Sequence, residues 1–197
     1  MSRAGAASLV CLLAATANGC SAAGDLKHVS SVADVDTTPA SNEAVVVFLR
    51  PSGWASATQS SVFDVTTGGP PVLVGIVAAK MKVAYRTTPG RHIFMVVGEN
   101  ADFMDAMLAP GRRYHAALVA GPGFKARFVF KPVHADARAQ LDGWLRETSW
   151  VATTDDSLDW QQENGPSIET KRARYWPKWI DGTLGPHEAL APEDGQQ

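Results

Sequence analysis

The stretch Ala44-Val45-Val46-Val47-Phe48-Leu49-Arg50 constrains this chain more than any other. A strand alternates its side chains between two sides, so an unbroken apolar run leaves neither side to water. The run therefore predicts a strand covered on both faces, and its β-branched and aromatic content agrees. Residues 62–66 and 72–78 repeat the composition on either side of Thr67-Gly68-Gly69-Pro70-Pro71, which reads as a turn or loop. Residues 81–87 alternate instead, with Met81, Val83 and Tyr85 on an inner face and Lys82, Ala84 and Arg86 on a wet one.

Two turns share one design, Thr88-Pro89-Gly90-Arg91 and Ala109-Pro110-Gly111-Arg112. Proline presets φ and glycine accepts positive φ, as positions i+1 and i+2 of a type II turn require. Strands are expected to follow over 92–97 and 114–120, with another over 101–108 and a last one over 124–133. The fold class expected is mainly β, an antiparallel β-sandwich of about eight strands over residues 43–133.

After Pro132 the period becomes helical. Ala137, Leu141, Trp144 and Leu145 mark the core side of a helix over 135–147, and a second helical region opens at Asp155 and becomes basic at Lys171. Gly165-Pro166 should divide it and Pro177 should stop it near Trp176. Residues 134–181 thus read as two or three C-terminal helices packed on the sandwich, and 182–197 as a disordered tail.

The chain's two cysteines, Cys11 and Cys20, both fall in the first twenty residues, so the folded body must rely on packing. Arg3, the apolar stretch 4–17 and the small residues after it read as a signal peptide over 1–19, too short to span a bilayer. Ala17-Asn18-Gly19-Cys20 resembles the lipobox of bacterial lipoproteins, which implies diacylglycerol on Cys20 and a membrane anchor. The alternative is a plain secretory signal cut near Ala15-Thr16-Ala17, leaving a secreted or periplasmic protein. Residues 20–42 would form a flexible tether, with a short helix or strand around 29–35 as the other reading. By resemblance to the lipoprotein sorting rule, Ser21 after the cysteine implies the outer membrane, facing the periplasm.

Val47-Phe48-Leu49-Arg50-Pro51, Thr88-Pro89-Gly90-Arg91-His92 and Pro110-Gly111-Arg112-Arg113-Tyr114 together resemble a family of bacterial lipoproteins of unknown function. Its members have a first strand ending in Arg-Pro, a Pro-Gly-Lys/Arg-His turn and a Gly-Lys-x-Tyr strand start. The resemblance covers roughly residues 44–133. It implies a β-sandwich-like fold at the cell envelope and carries over no catalytic residue.

A net charge of -2 gives no reason to expect a nucleic-acid partner. No Gly-x-Ser-x-Gly occurs, which leaves His92, His115 and His134 as the possible bases of a hydrolase. Their spacing offers no short-range metal pair, so neither metal nor cofactor is expected. Asp155, Asp156 and Asp159 fit a helix start better than paired acid–base carboxylates, and Asp102 and Asp105 fit edge or solvent positions. One basic and aromatic cluster stands out: Lys171, Arg172, Arg174, Tyr175, Trp176, Lys178 and Trp179. It reads as a surface patch for glycan or lipid head groups, or as a helix whose aromatics dock on the sheet. The function expected is a non-enzymatic envelope lipoprotein, membrane-anchored, that binds an unknown envelope protein or wall component. An envelope hydrolase with a histidine base and a glycan or lipid binder are the alternatives.

Overall fold

A computed structural model describes residues 28–121 and 127–197. The leader, Cys11, Cys20 and the first residues of the last predicted strand lie outside them. The strands are β1 (Val29–Ser31), β2 (Ala44–Arg50), β3 (Ser60–Asp64), β4 (Val72–Val77), β5 (Met81–Thr87), β6 (Gly90–Val97), β7 (Ala101–Leu108), β8 (Arg112–Ala120), β9 (Phe128–Pro132), β10 (Ser149–Thr153) and β11 (Ala189–Leu190). The helices are α1 (Arg138–Glu147), preceded by a 3₁₀ turn, and α2 (Asp155–Ile180).

β2 sits near the middle of a six-stranded sheet of order β1-β10-β5-β2-β8-β9, and every one of its residues is buried. The second sheet has five strands in the order β11-β7-β6-β3-β4. Ala44, Val46 and Phe48 meet Phe94, Val96, Met104 and Phe130 in one core between the two sheets. Phe48 lies edge-on to Phe94 with ring centres 5.0 Å apart.

Each outer face carries a helix. Leu49 of β2 joins Val133 and Leu141 under α1, with Trp144 and Leu145 around them. On the other side Phe63, Met95 and Phe103 pack against Ile168 and Trp179 of α2. The order of layers is helix, six-stranded sheet, five-stranded sheet, helix. Gly75 of β4 lies where the sheets converge, and a Cβ there would stand 2.9 Å from a Val83 methyl, so only glycine fits without movement.

The expected antiparallel sandwich of eight strands is corrected on two counts: both sheets are mixed, and the described residues form eleven strands. β2 pairs parallel with β8, β5 with β10, and β7 with β11. Alternation in the sequence marks a strand's faces and says nothing about its neighbour, so these pairings were not readable. The extra strands are short. β1 falls in the stretch read as a tether and pairs with β10, and β11 falls in the stretch read as a disordered tail. That tail segment buries Leu190 in the main core and pairs Gln196 with Arg113.

α2 runs unbroken through Pro166 and Pro177, against the expected split. Both prolines are solvent-exposed, so water can serve the carbonyls they leave unpaired. Ile168 and Trp179, each two residues after a proline, are anchored in the second core. Lys82, expected on a wet face, is buried beneath the residues that end α1.

Leu141 is 1% exposed. Leu141→Ala is expected to lower stability by about 2–5 kcal/mol in urea unfolding, whereas Gln140→Ala on the exposed side should change it by less than about 0.5 kcal/mol.

Candidate functional site

His92 lies two residues from Phe94 on the inner face of β6 and reaches the end of β3. Its Nδ1 is 2.9 Å from Asp64 Oδ2 and its Nε2 is 2.9 Å from the Thr88 carbonyl. Both partners accept, so this geometry favours the protonated ring, which donates from both nitrogens. The Asp64 hydrogen bond raises the His92 pKa, against burial, with help from Thr88. Burial pushes the Asp64 carboxyl up, but hydrogen bonds from His92 and Thr66 outweigh it and hold the group below its usual range. Thr66 Oγ1 and the Tyr85 hydroxyl also donate to this carboxylate, at 2.5 and 3.4 Å. The cluster ties β3, β5 and β6 together and leaves neither ring nitrogen free to take a proton.

The other two histidines differ. His115 faces the outer side of the six-stranded sheet, and burial, with Arg113 nearby, lowers its pKa to about 4, so it is neutral. His134 precedes the 3₁₀ turn before α1, and its Nδ1 is 3.1 Å from Asp194 Oδ2. That carboxylate is buried and also accepts from the Ala191 amide, while the His134 side chain is 52% exposed. Asp136, two residues further on, is solvent-exposed. Among the described residues, no group of three or more His, Cys, Asp or Glu side chains is placed to hold a metal.

The basic and aromatic segment of α2 divides between packing and surface. Trp179 is buried, and Trp176 and Tyr175 are half-buried in the same cluster. Phe103 meets Trp176 edge-on at 5.1 Å, and His187 stacks on Trp179 at 4.7 Å. Lys171 donates to the Gly98 carbonyl and Arg172 to that of Gly69, fastening the helix to loops of the five-stranded sheet. Arg174 and Lys178 remain in solvent, each over the Tyr175 ring. The aromatics are therefore sheet-facing, and the surface part of the segment reduces to Arg174, Lys178 and part of Tyr175. Asp155 and Asp156 occupy the first turn of α2, where a helix dipole favours them.

Four buried or half-buried polar side chains carry structure in ways the sequence did not announce. Arg50, fully buried, donates to the carbonyls of Thr58, Trp54 and Ala55 and lies over the Phe128 ring. Burial lowers its pKa to about 10. Lys82 donates to the carbonyls of Leu145 and Thr148 and lies over Trp150, capping the end of α1 with a cation. Burial holds its pKa below the usual lysine value. Asn100 exchanges two hydrogen bonds with the Phe128 backbone, and Asp102 accepts from the Phe130 amide. These two side chains stitch the outer edge of β9 to β7 and close one seam between the sheets. Asp102 is thus an edge residue, as its sequence setting suggests, yet burial raises its pKa to about 6.

An apolar concavity lies along α2. Pro70, Pro71, Leu158, Gln161, Gly165 and Ile168 are among the residues lining an apolar groove of about 550 Å³. Gln161 donates to the Pro71 carbonyl and fixes one wall of it.

No protein-family model matches the sequence, and the search of curated proteins finds no match.

The pH dependence of these groups has a definite sign. The His92 contribution is complete below its unfolded pKa and lost as pH rises through the raised folded value, while that of Asp64 is lost only as pH falls through its lowered one. The stability lost in His92→Ala should be largest near pH 5–6 and narrow at higher pH, and urea titrations at several pH values measure it. Asp102 behaves oppositely to Asp64, because its carboxyl ionises less readily in the fold. Asp102→Asn is expected to stabilise the protein by about 1–3 kcal/mol at pH 7.5 and to be near neutral below pH 4.

Proposed function

We propose that this protein is a cell-envelope lipoprotein, held on a membrane by acylation of Cys20, whose folded body is a non-enzymatic binding or structural module. The anchor rests on Ala17-Asn18-Gly19-Cys20 and the basic, then apolar, leader before it. Several acyl chains at about 0.8 kcal/mol per buried CH₂ make a durable anchor. No helix among the described residues is long and apolar enough to cross a membrane. The outer membrane, facing the periplasm, is the location that Ser21 favours by analogy with lipoprotein sorting.

The observation that carries the non-enzymatic reading is the engagement of His92. Among the described residues, the best-buried Asp–His pair spends both ring nitrogens on protein acceptors, so its chemistry goes into joining strands. Two facing sheets with a helix over each outer side support a β-sandwich-type body that offers its surface to an envelope protein or wall component.

One observation favours the competing reading of an envelope hydrolase. His134 is oriented by a buried carboxylate while its ring remains half exposed, as a general base requires. If it acts so, His134→Ala abolishes any ester or amide hydrolysis the purified protein displays. The non-enzymatic reading expects no such turnover to remove.

The anchor is tested by metabolic labelling with a fatty acid. The native chain is expected to take up label and sediment with membranes, and Cys20→Ser to do neither. Label retained by Cys20→Ser, or a native chain free of label, contradicts the proposal.

A further inference from the structure

Among the described residues Trp54 is the most exposed large apolar side chain, at 61%. It stands in the loop that carries the chain from β2 in one sheet to β3 in the other. A single apolar side chain in water is ordinary on a surface, but this one sits on backbone that is held in place. At the root of the loop, the buried Arg50 guanidinium donates from Nη2 to the carbonyls of Trp54 and Ala55 at 2.8 and 2.6 Å. Its Nη1 donates to the Thr58 carbonyl at 2.5 Å. The Trp54 amide donates to Ser52 Oγ at 3.0 Å, and the Thr58 amide closes a turn on the Ala55 carbonyl. Ala55 has a φ of 55°, in the left-handed region that residues with a Cβ seldom enter. Strain of this kind persists only where its surroundings enforce it, and three hydrogen bonds from one buried cation do so here. The backbone beneath the indole is therefore set before any partner arrives, which lowers the ordering cost of binding.

The chemistry around the indole narrows the partner. Residues 51–59 hold no ionisable side chain. Lys80, whose amide donates to the Arg50 carbonyl, has its own charge matched by Glu147 at 2.8 Å. Trp54 is the loop's one large apolar residue, so the loop lacks the apolar centre of a protein interface. Its chain neighbours Gly53 and Ala55 are small, and Ser52 and Ser56 are exposed. One flat aromatic face among uncharged hydroxyl groups suits a neutral sugar. A pyranose ring with equatorial substituents turns a layer of axial C–H bonds toward an aromatic face, while its hydroxyls exchange hydrogen bonds with serines beside it.

We propose that Trp54 is the stacking platform of a binding site for a neutral β-linked polysaccharide, with Ser52 and Ser56 as its hydrogen-bonding neighbours and Arg50 holding the loop in shape. The inference rests on the binding-module reading, to which it gives a ligand class, and does not require the anchor at Cys20.

NMR titration of the purified, 15N-labelled protein tests it. The probes are the hexasaccharides of β-1,4-linked glucose and of β-1,4-linked N-acetylglucosamine. The indole N–H signal of Trp54, identified by its loss in Trp54→Phe, is expected to shift saturably with at least one of them, together with amides of residues 52–58. Trp54→Ala should keep the urea midpoint of the native protein and weaken that binding at least about tenfold. Absence of a saturable shift with either sugar overturns the proposal, as does binding that Trp54→Ala leaves unchanged. It is equally overturned if the Trp54 signal responds to phosphatidylcholine vesicles and to neither sugar. Sugar-dependent shifts confined to other residues would remove this site and leave the binding-module reading standing. Cleavage of a hexasaccharide that saturates the Trp54 signal would instead support the site and defeat the non-enzymatic reading.

Discussion

The architecture follows from a strand that must be dry on both faces. β2 is flanked by β5 and β8, so its backbone is paired on both sides, and its side chains leave no face for water. Its even-numbered residues fill the space between the sheets. Leu49, on the opposite face, needs the cover that α1 supplies. The second sheet has the same difficulty at Phe63, Met95 and Phe103, and α2 resolves it. Apolar burial at about 25 cal/mol per Å² is the dominant favourable term in such a body, and here it is spread over three cores in place of one.

Polar groups finish what the cores begin. Among the described residues, Arg50 and Lys82 are cations with no carboxylate in salt-bridge contact, and each donates instead to backbone carbonyls at a loop or a helix end. Asn100 and Asp102 occupy the exposed edge of β9 and keep it from pairing with another chain. The C-terminal segment adds a parallel strand on β7 and a bridge to β8, linking the two sheets at another edge. Removing one partner from such a group leaves a buried charge or carbonyl unsatisfied, which costs more than the bond itself contributes.

Much of the body was legible in the sequence. The apolar run at 44–50, the alternation at 81–87 and the two Pro-Gly turns mark strands that the structure contains; Gly90 and Gly111 both have positive φ. Leu141 and its neighbours marked the core side of α1. Pairing was not legible, because β2 meets β8 only after the chain has passed through the other sheet, and no local pattern records that. The short strand β11 escaped, and β1 was legible only as the lesser reading of 29–35, because each takes its stability from a neighbour rather than from its own composition. The prolines of α2 misled for the same reason: packing at Ile168 and Trp179 outweighs the local penalty. At the candidate sites, Asp64 was invisible as a partner of His92 and Asp194 as a partner of His134, since residues 28 and 60 positions apart meet only in the fold.

Native-state hydrogen exchange tests the central claim, that a doubly covered β2 organises the molecule. The amides of Val45 to Leu49 should be among the slowest to exchange and should open only with global unfolding, sharing its free energy and urea dependence. Exchange of β2 in a smaller opening, while β6 and β7 stay protected, would contradict the account.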